Sequence, residues 1–438
     1  MVLALLSQVK VWYPMVMLGL GICHQMVAQW VVYFYAPPAG TGAPIYLEVG
    51  LVSAAMVFGR IIDAFSDPVV AYFSDRASFK SGRRKPFIFW GALLLALSFV
   101  LIWKPPVESV SFVNFFWVAL MLGFFFLSYS IIAVPYLALM PEITFNEEQR
   151  ITMATSQVAF YGTGAGLGFI LSTTLGPLIG LPALAFVLVP LFLFALLWPV
   201  LQLQENPVQK QQGQHSGFAG WSEAVRSLLD NRTFMCWLAM QAFLWSSFIM
   251  IVMLVPYIGS VLLGVGSIMD ISIIAALLLV LGSAVSVVLV FQYVRNKGKD
   301  VFYGTALLLA GGFIALFSLV GHNVLPGSAQ IQAALLLAFT AGPLALVVVL
   351  PNAVVAEISE IRRQATGEHR EALLYAGQGI VVKLSMAAGS AVFGFLIFSV
   401  EQTAGLETGI RLICLAAGLL FIMAAAVYQS FLKAKRAG

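Results

Sequence analysis

Charge is what this sequence has least of. Asp, Glu, Lys and Arg make up 10% of its 438 residues, against 61% hydrophobic ones, whereas a typical soluble domain carries about 25% charged residues. That scarcity excludes an ordinary water-soluble globule. Long hydrophilic stretches are lacking as well: the longest, residues 204–232, is too short to bury a core of its own, so no separate soluble domain is expected. Cysteine is rare, with Cys23, Cys236 and Cys414 all in apolar runs, and these read as small buried hydrophobes rather than a disulfide framework. No metal-ligand cluster and no nucleophile–base constellation interrupts the apolar runs, which argues against an enzyme and against a resident cofactor. The first residues lack a basic n-region, so the first apolar run reads as a retained helix.

What is present is a series of apolar runs. Twelve are long enough to span a bilayer, which needs about 20 residues per helix: 11–35, 46–73, 87–103, 112–139, 152–175, 182–202, 234–256, 268–293, 301–321, 331–356, 373–399 and 408–432. The polar stretch in the middle divides them into an N-terminal six-helix bundle (1–203), a central cytoplasmic loop (204–232) and a C-terminal six-helix bundle (233–438). The basic residues follow this alternation. One side carries only Lys104 and Arg411; Arg60 and Lys383 fall inside helices, and every other Lys and Arg lies on the side shared by both termini. By the positive-inside rule both termini are cytoplasmic, in a membrane whose compact loops suggest a bacterial inner membrane. The net charge of +4 is thus a topology signal, not a nucleic-acid footprint. The expected partners are the lipid bilayer and a small-molecule solute, with no nucleic acid, and the protein is expected to act as a monomer.

The most informative stretch runs from Gly59 to Pro86, GRIIDAFSDPVVAYFSDRASFKSGRRKP. Arg60, Asp63 and Asp67 sit at i, i+3 and i+7 in an apolar run, so at about 100° per residue they share roughly a 60° arc of one helix face. An ionised carboxylate in hydrocarbon costs several kcal/mol, so two on one face beside an arginine point to a cation or proton site. A plain Arg60–Asp ion pair would leave the other carboxylate without a counter-charge.

Other polar residues in the spans have two readings each. Gln25 and Gln29, at i and i+4 in the first span, can hydrogen-bond a solute or glue helices together, and their neighbour His24 can be a ligand or a satisfied packing residue. Ser128, Ser130 and the backbone freed by Pro135 in the fourth span offer oxygens to a hard cation such as Na+, or bond their own helix. The fifth span carries Gln157, Tyr161 and a glycine run, Gly162, Gly164, Gly166 and Gly168, suited to close helix contact. In the seventh, Gln241 and Trp245 at i and i+4 can face a solute or pack in a core. Asp270 opens the eighth, and the tenth breaks at Pro351 and Asn352. In the eleventh, Lys383 lies about 12 residues beyond Glu371, or ~18 Å along a helix, near the middle of a ~30 Å core. Asp63 lies as far from Asp75, so the lysine and the carboxylates share a depth.

The segments GRIIDAFSDP, PYLALMPEIT and TGEHREALLYAGQGIVVK resemble conserved segments of the glycoside-pentoside-hexuronide:cation symporter family, in the same order and spacing. The resemblance implies an all-α membrane protein with the major facilitator fold, twelve transmembrane helices in two six-helix bundles working by alternating access. It also implies the cation ligands Asp63, Asp67, Ser66 and Ser130, with Na+ or H+ as coupling ion, and a charge network of Arg60 and Lys383. The loop with Asp75, Arg76, Gly82, Arg83 and Arg84 resembles the superfamily's cytoplasmic gate motif. The solute side is less familiar. Ala133 stands where the family's galactoside carriers have an aspartate, Leu137 replaces an aromatic, and the arginine of the fifth helix falls near Gln157. With Gln25, Gln29, Tyr161, Gln241, Trp245 and Gln378, Ala133 and Gln157 complete the candidate solute-binding set. The function implied is cation-coupled symport of a sugar or glycoside-type solute; the same architecture also serves lysolipids, and a non-transporting sensor is the reading from another class. Lys383→Ala is expected to abolish cation-coupled uptake in reconstituted vesicles; full coupled uptake by the variant would remove Lys383 from the charge network.

Overall fold

The computed structural model describes residues 12–77, 79, 82–143, 147–202, 232–263, 299–322, 324–349, 351, 354–355, 357–358 and 371–437. The eighth expected span with Asp270, nearly all of the central loop, and Asn352 lie outside the described residues. The rest is helical: α1 (Met15–Tyr35), α2 (Val49–Arg76), α3 (Lys85–Ile102), α4 (Phe112–Ile143), α5 (Glu147–Ile179), α6 (Leu181–Gln202), α7 (Arg232–Tyr257), α8 (Lys299–Leu316), α9 (Ala329–Val349), α10 (Glu371–Ala404) and α11 (Leu406–Ala437). A π turn, Ile258–Leu262, extends α7 just after Pro256, where the missing proline N–H loosens the regular ladder. These helices coincide with the expected spans, but α4, α5, α10 and α11 run past their apolar cores into polar flanks, because hydrogen bonding continues where hydropathy fades. Among the described residues, nine helices are long and apolar enough to cross a membrane.

The described helices fall into two compact units, α1–α6 and α7–α11. In the first, α1 packs on α5 and α6, α2 on α4, and α3 on α4 and α6. In the second, α11 packs on α7 and α8, α10 on α7 and α11, and α8 on α9. Large aromatics such as Phe65, Trp90, Phe116 and Phe395 stay exposed. In a chain of this composition those surfaces meet lipid, which neither rewards nor penalises their burial.

Two sets of hydrogen bonds hold the ends of the first unit. At one end, Tyr13 and Tyr136 stack at 4.4 Å between ring centroids and exchange bonds, each hydroxyl donating to the other's backbone carbonyl (2.6 and 3.0 Å). At the other, the Tyr35 hydroxyl donates to the Ile102 carbonyl, and the Asn114 amide donates to the carbonyls of Tyr46, Val107 and Ser109. Each bond meets a polar group that neither lipid nor core would satisfy.

The glycine run of α5 divides by face. A Cβ on Gly164 or Gly168 would meet the carbonyl of Leu18 or Ile22 on α1, whereas one on Gly162 or Gly166 would meet nothing. Only the i, i+4 pair therefore serves the α1–α5 approach; the other two point away. Gly164→Val is expected to destabilise the protein by about 1–3 kcal/mol through overpacking, while Gly162→Ala leaves the midpoint of thermal unfolding in detergent unchanged or slightly raised. Equal losses from both substitutions would contradict this division.

Candidate functional site

α2 presents Arg60 and Asp63 to the interior of the first unit, both almost fully buried at 1% and 4% exposure, while Asp67, one turn further on, is half-buried. Pro68 follows at once. It cannot donate to the carbonyl of Ala64, so α2 carries a weakened turn beside its second carboxylate.

Arg60 meets side chains on α1, α2 and α4. Its Nη1 lies 3.6 Å from Asp63 Oδ2, an ion pair within one turn of α2. The same Nη1 lies 3.1 Å from His24 Nε2 on α1. The guanidinium also rests 4.5 Å from the ring centre of Phe126 on α4, a cation–π contact that partly replaces lost hydration. His24 in turn meets the Tyr161 hydroxyl through Nδ1 at 3.1 Å, and its ring lies 5.7 Å from that of Tyr129.

Asp67 is served differently. The Ser130 hydroxyl of α4 donates to Asp67 Oδ1 at 2.6 Å, and Ser66 Oγ lies 2.6 Å from Ser130 Oγ. Ser66 is also 3.2 Å from the Asp63 carbonyl; with one proton to give, it donates along the shorter path, making a chain from Ser66 through Ser130 to Asp67. α2 and α4, which pack together, thus supply two sets of side chains on successive turns of α2: Arg60 with Asp63, and Asp67 with Ser130 and Ser66. Two carboxylates beside one guanidinium give these residues a formal charge of −1, and carboxylate and hydroxyl oxygens are the ligands that a hard monovalent cation prefers. Ser128 takes no part: its hydroxyl donates to the Phe124 carbonyl of its own helix.

The other candidates are dispersed. Gln25 donates to Gln29 Oε1 at 3.2 Å, and the buried Gln29 Nε2 has no hydrogen-bond partner among the described residues. Tyr161 belongs to the His24 contact. Ala133 is half-buried, one turn beyond Tyr129 on α4. Gln157 is buried beside the Tyr13–Tyr136 pair at the end of the unit. In the second unit, Gln378 accepts from the buried indole of Trp237 at 2.8 Å, an interhelical tie between α7 and α10. Gln241 is fully buried, and among the described residues neither its amide oxygen and nitrogen nor the indole nitrogen of Trp245 one turn on has a hydrogen-bond partner. Lys383 is half-buried on α10.

In the loop after α2, Arg84 lies 3.5 Å from Asp75, and the Arg76 guanidinium sits 3.5 Å from the ring centre of Tyr72. Gly82 adopts a φ of 112°, a left-handed conformation that glycine takes without strain, while Arg83 is half-buried. The sequence reading left Tyr129 and Phe126 unmarked and His24 undecided: an aromatic in an apolar span carries no signal of its own until a charge is placed beside it.

The family described as MFS/sugar transport protein matches residues 12–436. An uncharacterized symporter of Synechocystis sp. is 30% identical over 202 residues, covering 43% of this chain and 36% of that protein. The inner membrane symporter YicJ of Escherichia coli is 27% identical, covering 39% and 36%. The isoprimeverose transporter of Lactiplantibacillus pentosus is 26% identical, covering 38% and 32%. The chain therefore spans about a third of the length of these curated relatives. The solved structure of the nucleoside transporter NupG superposes with a TM-score of 0.65 at 14% identity, covering 97% of this chain and 99% of that one, so the two share a fold, which together with the family match is the major facilitator fold.

Removing one member of a buried ion pair leaves the other charge uncompensated, at a cost of about 3–5 kcal/mol. Arg60→Gln is therefore expected to lower thermal stability strongly, and Asp63→Asn in the same chain to restore much of it. Additive losses in that double-mutant cycle would mean that the two charges do not compensate each other.

Proposed function

The chain belongs to the MFS/sugar transport protein family, and on that premise we propose that it is a secondary active symporter in which Na+ or H+ drives uptake of a small organic solute, a sugar or glycoside, by alternating access. The observation that carries this reading is the Asp63–Asp67 cluster. Its net negative charge is a vacancy for one monovalent cation, and filling it removes the penalty for enclosing the site away from water. Asp67 is the more accessible ligand, Ser130 and Ser66 offer hydroxyl oxygens beside it, and Arg60 pairs with Asp63. Coupling is then a free-energy linkage: the solute binds the cation-loaded form better, and by reciprocity raises cation affinity by the same factor.

The solute class is supported by the family description and by relatives named as symporters and as an isoprimeverose transporter. In this chain, the unpartnered amide of Gln241 and indole of Trp245 supply donors, an acceptor and an aromatic face of the kind that hold sugar hydroxyls and ring edges. The same reading puts both termini in the cytoplasm of a bacterial inner membrane, with six-helix bundles at 1–203 and 233–438, the protein acting as a monomer, and Lys383 as a coupling residue. The Lys and Arg distribution supports this orientation.

Uptake by proteoliposomes across a panel of glycosides, uronates and lysolipids, with and without a sodium or proton gradient, tests the proposal. A glycoside or uronate is expected to accumulate at least tenfold more under one of the gradients, and Asp63→Asn together with Asp67→Asn is expected to abolish that gain. Gradient-independent uptake, accumulation of lysolipids alone, or an unimpaired double variant would refute it.

A further inference from the structure

The exposed side of α2 is one continuous stripe. Phe58, Ile61, Phe65, Val69 and Tyr72 recur every three or four residues, each at least 41% exposed, on the side turned away from the buried Arg60 and Asp63. Arg76 falls on the same stripe, one turn beyond Tyr72. It is exposed, and it is the last residue of α2 and of the apolar span Val49–Arg76. In a helix that crosses a bilayer, a cation at that point stands at the level of the lipid headgroups. Its guanidinium does not reach into the loop. It lies back on the stripe, 3.5 Å from the centre of the Tyr72 ring, and among the described residues it makes neither a hydrogen bond nor an ion pair. The adjacent carboxylate, Asp75, is met by Arg84 at 3.5 Å instead. Stacking engages the flat face of a guanidinium and leaves its N–H donors pointing outward in the plane.

We propose that Arg76 and Tyr72 form the headgroup site of an anionic phospholipid whose acyl chains lie along the exposed stripe of α2. The phosphodiester oxygens accept from the guanidinium fork, the geometry in which arginine holds phosphate best. Tyr72 fixes the fork against the helix, so less side-chain freedom is lost on binding. The apolar residues Phe65 and Val69 meet the chains below. A zwitterionic headgroup brings an ammonium that the arginine repels, and a free phosphate brings the charge without the chains, so the site selects a lipid of net negative charge. The bound lipid holds the end of the helix that carries Asp63 and Asp67. This goes beyond the transport reading and does not depend on it.

The probe is a phosphatidylglycerol with a photoreactive group beside its phosphate, in phosphatidylcholine vesicles that hold the purified full-length protein, with the label located by peptide mapping. Label is expected in the segment 72–79. Unlabelled phosphatidylglycerol is expected to compete about fivefold better than added phosphatidylcholine, the factor one basic residue gives at an anionic membrane surface. Arg76→Gln, at an exposed position that leaves the fold intact, is expected to lower labelling about fivefold. Arg76→Lys, which keeps the charge without the fork, and Tyr72→Leu, which keeps the fork without its platform, are expected to fall between that variant and wild type. Equal competition by phosphatidylcholine, full competition by glycerol phosphate without acyl chains, or unimpaired labelling of Arg76→Gln would each overturn the site. So would an equal loss in Arg83→Gln, since it would assign the effect to the charge of the loop as a whole.

Discussion

Everything in the first unit depends on placing ionised side chains in a medium that does not solvate them. Hydrocarbon supplies neither counter-charge nor hydrogen bonds, so each buried charge must find both within reach of its own side chain. Arg60 and Asp63 meet the demand in part by lying one helical turn apart, and in part by recruiting α1, α4 and α5: the His24 nitrogen, the Phe126 face and, through His24, the Tyr161 hydroxyl. Asp67 recruits Ser130 and, through it, Ser66. The packing of α2 against α4 and of α1 against α5 is therefore also the electrostatics of the site.

The same economy governs the backbone. Helices that carry polar residues into the interior must approach closely enough for short side chains to reach across, and Gly164 and Gly168 let α5 come up to the carbonyls of Leu18 and Ile22 on α1. That approach brings Tyr161 within hydrogen-bond distance of His24. Further along, Tyr13 and Tyr136 brace α1 against α4 at the end where the chain turns, while Asn114 gathers three loop carbonyls at the opposite end. Between these fixed ends lies α2, with Pro68 interrupting its ladder next to Asp67. A site built beside a loosened turn of a braced bundle can bind an ion without repacking the rest.

How much of this was legible in the sequence differs by level. Helix positions were, because about 20 apolar residues have few other fates; the polar ends of α4, α5, α10 and α11 were not, because hydropathy marks the bilayer and not the hydrogen-bond ladder. The shared face of Arg60, Asp63 and Asp67 followed from their spacing alone, and the separate partners of the two carboxylates did not. Periodicity gives the face a residue occupies, never what stands opposite. For that reason the four glycines of α5 looked equivalent, Gln25 and Gln29 stood open to a solute or to helix packing, and nothing in the sequence placed Gln157 beside the Tyr13–Tyr136 brace. His24 was undecidable for the same reason, since its meaning lies wholly in the residues on either side of it.

The central claim is that Asp63 and Asp67 change their ligand when the coupling ion arrives. Infrared difference spectroscopy reads carboxyl groups directly. On adding sodium, or on a pH jump if the ion is a proton, the purified protein should give a carboxylate difference band that is lost in Asp67→Asn and altered in Asp63→Asn. An unchanged difference spectrum in both variants would contradict the account.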